Sequence, residues 1–210
     1  MTTHPTAPRS RRGPDWWLFL TKFFRHGTAI GAVAPSSSWL ARKFVQNIDF
    51  SRVRCVVELG AGTGPITAEL LRQAGQQCRA VIVERDPDFC ACLRRRFPAA
   101  EIAEADACDL ERILDERKVE SVDHVLCGLA LPWFSRGDRH RILNTVRRRL
   151  VPEGSFRQLT YMPWLHTREY RRYFEKVGFR FVLRNLPPAG FYVCTRPLFA
   201  HSSRSGPPAR

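Results

Sequence analysis

Residues 56–64, which read Val-Val-Glu-Leu-Gly-Ala-Gly-Thr-Gly, decide the fold of this chain. An apolar run that carries Glu58 breaks into glycines at alternate positions, and Pro65 then begins a helical pattern. This order predicts a strand, a tight loop and the first turn of a helix, where a proline needs no N–H partner. Glycine lets such a loop turn sharply and bring its backbone N–H groups against a ligand.

The spacing of the glycines separates this loop from two common nucleotide-binding loops. Nicotinamide and flavin sites use G-x-G-x-x-G and phosphate loops end in Gly-Lys-Ser/Thr, whereas residues 60–64 read G-x-G-x-G without lysine. A second apolar strand ends at Glu84, where α/β nucleoside sites place the carboxylate that accepts from both ribose hydroxyls. A third acidic residue, Asp106, follows the next apolar segment. The pattern therefore predicts a nucleoside site at one edge of a sheet.

Taken together, E-L-G-A-G-T-G, Glu84 and Ala105-Asp106-Ala107 resemble the class I S-adenosylmethionine (SAM) methyltransferases. The resemblance implies SAM as cofactor and S-adenosylhomocysteine (SAH) as product. It implies that the glycine loop holds the methionine and ribose end of SAM, that Glu84 binds the ribose diol, and that Asp106 and the backbone N–H of Ala107 bind the adenine. The residues predicted to contact SAM are Glu58, Gly60, Ala61, Gly62, Gly64, Glu84, Arg85, Asp106, Ala107 and Gly128.

The rest of the chain alternates between strand and helix patterns. Strands are predicted at 54–59, 79–84, 100–103, 122–127, 154–161, 179–186 and 190–196. Helices are predicted at 65–74, 87–96, 109–117, 138–150 and 167–177. This alternation predicts a Rossmann-like α/β fold, with a mostly parallel seven-stranded sheet, helices on both faces and an antiparallel last strand.

Composition divides the chain into four parts. Residues 1–14 and 199–210 are polar and are predicted to be disordered tails. Residues 15–50 are predicted to form amphipathic or lid helices, and residues 51–198 the SAM-binding domain. A net charge of +14, from 34 basic and 20 acidic residues, predicts an anionic partner, either acidic lipid headgroups or nucleic acid.

Cysteine usage and hydropathy indicate the compartment. Seven cysteines, an odd number, favour a reducing environment, and no zinc spacing accompanies them, so no metal is predicted. No apolar run approaches the roughly 18 to 20 residues of a membrane-spanning helix. A cytoplasmic protein is therefore expected.

The N-terminal helix predicted at residues 15–26 carries an aromatic stripe. Lys22 and Arg25 lie among its aromatic residues, and an aromatic stripe flanked by basic residues is typical of a helix at a membrane surface. The alternative is that the stripe packs on the sheet or covers the SAM pocket. The residues predicted to contact membrane or substrate here are Trp16, Trp17, Phe19 and Phe23.

The methyl acceptor is indicated by residues 127–134, Cys-Gly-Leu-Ala-Leu-Pro-Trp-Phe, after the fourth strand. Adenine N6 methyltransferases place Asn-hydrophobic-Pro-aromatic here, so Gly128 argues against a nucleic-acid partner. Residues 24–37 and 185–189 are instead similar to bacterial phospholipid N-methyltransferases, which convert phosphatidylethanolamine toward phosphatidylcholine. This resemblance implies peripheral association with the inner face of an anionic phospholipid membrane. Ala130 departs from the Gly-Leu-Pro that the family more often has.

Methylation of an amine requires that its proton leave before attack. Tyr161 is the candidate for positioning that amine, and Trp133 and Phe134 are candidates for lining the path and stabilising the methylated cation. His124 and His166 are expected to be structural or solvated. Three other functions stay open: an rRNA adenine dimethyltransferase, a small-molecule amine methyltransferase, and a non-catalytic SAM-binding protein at the membrane.

Overall fold

The computed structural model describes residues 35–161, 166–182 and 189–198. The predicted N-terminal helix with Trp16, Trp17, Phe19 and Phe23 and both predicted tails lie outside the described residues, as do residues 24–34 and 185–188 of the segments similar to phospholipid N-methyltransferases. The strands are β1 (Cys55–Leu59), β2 (Arg79–Glu84), β3 (Glu101–Glu104), β4 (Val122–Cys127), β5 (Leu150–Thr160), β6 (Phe174–Val182) and β7 (Ala189–Pro197).

Six α-helices lie within the described ranges. They are α1 (Pro35–Val45), α2 (Pro65–Gln73), α3 (Pro87–Arg96), α4 (Leu110–Glu116), α5 (Arg136–Arg149) and α6 (Thr167–Tyr170). Short 3₁₀ turns at Ala107–Asp109 and Leu131–Trp133 follow β3 and β4. None of these helices has the length and the apolar run that crossing a bilayer requires.

The strands form one sheet in the order β3-β2-β1-β4-β5-β7-β6. The first five strands pair in parallel, and β7 is antiparallel to both of its neighbours. This arrangement confirms the predicted Rossmann-like fold with an antiparallel last strand. Because parallel strands share one direction, β1, β2, β3 and β4 all end at the same edge of the sheet, and the loops that follow them meet there.

Each face of the sheet is buried under helices. Side chains alternate along β1, so Val57 joins a cluster with α4 and α5, whereas Val56 joins a cluster with α1, α2 and α3. The α1 helix is fixed by Arg157 of β5, whose Nη1 donates to the Phe44 carbonyl at 2.6 Å and the Gln46 carbonyl at 2.8 Å. Burial lowers the pKa of Arg157 to about 10, so the guanidinium stays charged at neutral pH.

Three predicted elements are corrected by the structure. The helix predicted at 167–177 ends at Tyr170, and the strand predicted to start at residue 179 starts at Phe174. Phe174 pairs with Pro197 of β7 and stacks on Phe156 at 5.7 Å between ring centroids, so tertiary pairing overrides a helical sequence pattern. Strand β5 also begins four residues earlier than predicted, where Leu150 pairs with Val122 across an irregularity in the β4 ladder.

Candidate active site

The glycine loop after β1 is built from left-handed backbone. Gly60, Gly62 and Gly64 have φ values of 74°, 54° and 81°, which residues with a Cβ rarely adopt. Gly60 also lies against the segment after β4, since a Cβ there would be 2.3 Å from Leu129 Cδ2. A Cβ on Gly128 would likewise lie 2.9 Å from the Gly60 carbonyl oxygen. The loop after β1 and the start of the segment after β4 are therefore in direct contact.

Gly62 stands at the open part of this loop. A Cβ built on it meets no atom within 4 Å among the described residues, so the backbone borders open space there. Gly64 is the N-cap of α2 and Pro65 is its first residue, so the helix start points at the same loop. Backbone N–H groups at such a helix start suit a negatively charged or hydrogen-bond-accepting ligand group.

The carboxylate of Glu84, at the end of β2, ties the loop to the neighbouring strand. Oε2 accepts from the Gly62 N–H at 2.9 Å, and Oε1 accepts from the N–H groups of Arg85 at 2.8 Å and Asp86 at 3.0 Å. Since a carboxylate offers four acceptor positions, these contacts leave one position on Oε2 for a hydroxyl donor. The structure thus brings Glu84 to the glycine loop, with an acceptor position for one of the two ribose hydroxyls that the prediction gives it.

Asp106 and Ala107 lie at the end of β3. Oδ1 of Asp106 accepts from the Cys108 N–H at 2.8 Å and caps the 3₁₀ turn that Ala107 begins. Oδ2 lies 3.9 Å from Nη1 of Arg85, and both side chains are about half exposed. The N–H of Ala107 opens the turn and has no partner within it, as the first N–H groups of any helix do not. An exposed acceptor and a backbone donor thus lie side by side, which matches the edge of an adenine ring.

Glu58 occupies a different environment from the other carboxylates. Its side chain is fully buried, Oε2 accepts from Thr67 Oγ1 at 2.7 Å, and Oε1 has no hydrogen-bond partner in the described part of the chain. Burial is the largest cause that raises its pKa to about 8, and the nearby charge of Glu84 also raises it. The prediction that Glu58 contacts SAM stays a prediction.

The segment after β4 presents aromatic side chains on the other side of the loop. Trp133 is 56% exposed, Phe134 packs partly on the core, and Tyr161, directly after β5, is 42% exposed. Gln158 of β5 connects these regions, because its Nε2 donates to the Leu129 carbonyl at 2.6 Å. The ends of β4 and β5 thus form a second, side-chain-rich part of the site.

A hydrogen-bonded set around His166, a residue predicted from the sequence to be structural or solvated, lies beside this part. His166 Nδ1 is 2.9 Å from Glu169 Oε2, and Arg139 Nε donates to both Glu169 oxygens at 3.0 and 3.1 Å. Arg139 also donates to the Phe134 carbonyl at 2.6 Å. Nε2 of His166 is buried and has no hydrogen-bond partner among the described residues. Only the three-residue spacing of His166 and Glu169 signals this pair in the sequence.

The described residues fit SAM. Open space faces Gly62, Glu84 keeps one acceptor position, and Asp106 with Ala107 offers an acceptor next to a donor. These groups follow three adjacent strands at one edge of the sheet, the place where α/β folds bind nucleosides. Fold and site together define a SAM-dependent methyltransferase of class I.

Comparisons with known proteins agree with this class. A family model described as a methyltransferase domain matches residues 56–154. The ornithine lipid N-methyltransferase of Singulisphaera acidiphila is 48% identical over 183 residues, which cover 86% of this chain and 95% of that protein. The chain therefore belongs to the class I SAM-dependent methyltransferases, with SAM as its methyl donor.

Solved structures share the fold at low sequence identity. TrmN from Thermus thermophilus aligns with a TM-score of 0.64 at 19% identity, covering 78% of this chain and 51% of that one. An O-methyltransferase from Bacillus cereus in complex with SAH aligns with a TM-score of 0.61 at 14% identity, covering 84% and 90%. These alignments bear on the fold alone.

Proposed function

We propose that this chain transfers methyl groups from SAM to the amine of a membrane aminolipid. The observation that carries the proposal is the 48% identity with an ornithine lipid N-methyltransferase over nearly the full length of that protein. Ornithine lipid is therefore the first substrate to test, and phosphatidylethanolamine, which the sequence resemblance implies, is the second. Both substrates present a primary amine next to an anionic or polar headgroup.

SAM, when bound, supplies a methyl group on a sulfonium that a neutral amine can attack. The chain's part is to hold the donor and keep water away from it. Glu84 would hold the ribose diol, Asp106 and Ala107 the adenine, and the loop around Gly62 the methionine end. Hydrogen bonds between backbone and side chain, such as the one from the Gly62 N–H to Glu84 Oε2, fix these groups before the substrate arrives.

The acceptor amine has to lose a proton, and two residues of the second part of the site suit that need. Tyr161 would position the amine through its hydroxyl or ring. His166 would take the proton on Nε2, because its Nδ1 is already hydrogen bonded to Glu169 and leaves Nε2 as the remaining position. Trp133 and Phe134 would stabilise the methylated ammonium with their ring faces.

Peripheral binding to a membrane completes the proposal. The net charge of +14 suits an anionic leaflet, and Trp16, Trp17, Phe19 and Phe23 would insert beside the headgroups. The location that follows is the cytoplasmic, inner face of a membrane.

The test incubates the protein and methyl-labelled SAM with three kinds of phosphatidylglycerol vesicles: with ornithine lipid, with phosphatidylethanolamine, or with neither. Label in the ornithine lipid, or in phosphatidylethanolamine, is expected, and the faster reaction identifies the substrate. Free ornithine and ethanolamine serve as controls for a small-molecule methyltransferase. Label only in the free amines, or in none of the acceptors while SAM still binds, would contradict the proposal.

A further inference from the structure

A cavity separate from the glycine loop lies between α5 and the turn after α6. Its volume is about 350 Å³, which is at the small end for a ligand site. None of the residues placed around SAM lines it. The lining residues are Arg136, His140, Asn144, Arg147, Glu169, Arg172 and Tyr173.

One wall of this cavity is a single face of α5. Arg136, His140, Asn144 and Arg147 are separated by four, four and three residues, which places them on the same side of a helix. Arg147 is held in place, since Nη2 donates to Asn144 Oδ1 at 2.8 Å and Nη1 to the Leu198 carbonyl at 2.6 Å. Its Nε is buried without a hydrogen-bond partner in the described part of the chain.

The opposite wall contains a buried hydroxyl. Tyr173 is 8% exposed, and its hydroxyl lies 2.7 Å from His140 Nδ1. Burial and, after it, the charge of Glu169 raise the pKa of Tyr173, whereas the charges of Arg172 and Arg147 lower it, so both guanidinium groups act on this hydroxyl. The side chains that meet here therefore form an ordered, polar floor.

The charge of the cavity is positive. Glu169, its one acidic residue, is already engaged by Arg139 and His166. Among the described residues, the guanidinium groups of Arg136 and Arg172 have no hydrogen-bond or ion-pair partner, in contrast to the arginines at the other end of α5, which bind Glu111. Uncompensated guanidinium groups around a small cavity suit a phosphate, which they bind through paired N–H donors.

We infer that this cavity binds the phosphate of an anionic phospholipid headgroup and so anchors the protein beside the membrane. A cavity of this small size favours one headgroup over a nucleic acid, because a nucleic-acid backbone needs a row of cations along its phosphates. The cavity borders the acceptor part of the candidate site, since Glu169 belongs to both, and the inference does not depend on which amine is methylated.

The variant Arg136→Gln/Arg172→Gln tests the inference, because neither side chain has a partner whose loss would unfold the protein. Arg141→Gln/Arg168→Gln is the matched control, with the same charge change at exposed positions of α5 and α6. Affinity is measured by flotation with vesicles of equimolar phosphatidylglycerol and phosphatidylcholine. The first pair should bind about tenfold more weakly or worse, as expected for lost charged hydrogen bonds, and the control pair should stay within a few fold of the wild type. SAM affinity should be unchanged in both.

Two further probes identify the source of the phosphate. Calorimetry with inorganic phosphate should show binding to the wild type that is lost in Arg136→Gln/Arg172→Gln. If phosphate binding is lost but vesicle binding falls equally in both pairs, the ligand is a soluble phosphate and the lipid assignment is wrong. If single-stranded RNA, but not vesicles, distinguishes the two pairs, the cavity is a nucleic-acid site and the inference is also overturned. If both double variants behave equally with every probe, the cavity is not a binding site and the inference is wrong.

Discussion

The two parts of the candidate active site are formed by different kinds of groups, one by backbone N–H groups and the other by side chains. The proposed donor part, with Gly60, Gly62, Glu84, Asp106 and Ala107, consists of short segments at or directly after strand ends, and its contacts use backbone N–H groups. The proposed acceptor part comprises residues 128–134, Tyr161 and the set His166, Glu169 and Arg139. In this set the side chains of Arg139 and Glu169, 30 residues apart in sequence, are joined directly. A site that is formed by backbone groups keeps the same ligand when its side chains are substituted. A site that is formed by side chains can change its substrate when they are substituted. This difference explains why the methyl donor could be read from the sequence and the methyl acceptor could not.

The largest expected effect is on the donor part, from Gly60→Ala. The new Cβ would need a left-handed backbone and would overlap Leu129, so SAM affinity should fall by about 100-fold or more. Calorimetric titration with SAM measures the effect. Gly75→Ala is the control, because a Cβ there meets no atom within 4 Å in the described structure. Equal affinities of the two variants would break the claim that backbone shape defines the donor part.

In the acceptor part, the substitution His166→Asn is expected to lower turnover by about 100-fold. The asparagine cannot take the amine proton, and general-base catalysis contributes about 10²–10⁴-fold. SAM affinity should not change, because His166 belongs to the acceptor part. Steady-state kinetics with aminolipid vesicles measures kcat, and Glu169→Gln, which removes the charge beside Nδ1, should lose part of the same activity. A kcat within twofold of the wild type would return His166 to a purely structural role.

Glu58→Gln should change how stability depends on pH. The pKa of Glu58 is about 8 in the fold and 4.5 ordinarily, so the folded state binds the extra proton and the wild type loses stability as the pH rises from about 5 to 8. The slope is at most about 1.4 kcal/mol per pH unit for one proton. Glutamine cannot ionise, so denaturant unfolding of the variant should lack this slope. The exposed Glu120→Gln should keep it, and an unchanged slope in Glu58→Gln would show that Glu58 is ionised in the fold.

The smallest expected effect comes from Arg96→Ala, at the rim of the donor part. Arg96 Nη1 donates to the Thr63 carbonyl in the glycine loop, and its guanidinium lies 5.0 Å from the centre of the Phe97 ring. Loss of one exposed hydrogen bond costs about 0.5–1.5 kcal/mol, so SAM affinity should fall only a few fold. Arg95→Ala, one residue away and exposed, should have no effect. Identical titration curves for both variants would show that the loop holds its shape without Arg96.

The same contrast accounts for what the sequence could predict. The β1 strand, its loop and α2 follow local rules, since glycine permits left-handed backbone and proline restricts φ wherever they occur. Phe174 could not be placed from local rules, because its strand is stabilised by pairing with β7 and stacking on Phe156. The His166–Glu169–Arg139 set was missed for a related reason, since Arg139 is about 30 residues away in sequence and reaches Glu169 only through the packing of α5.

The most direct test of the central claim measures methylation of aminolipid vesicles while SAM and lipid are varied independently, in the wild type, Glu84→Gln and Tyr161→Phe. The claim that donor and acceptor parts are separate predicts that Glu84→Gln raises the KM for SAM by about tenfold or more, for the loss of charged hydrogen bonds, with little change in the lipid KM. Tyr161→Phe should change only the lipid KM and kcat. The reverse assignment, or label in no lipid while SAM binds the wild type, would contradict the account.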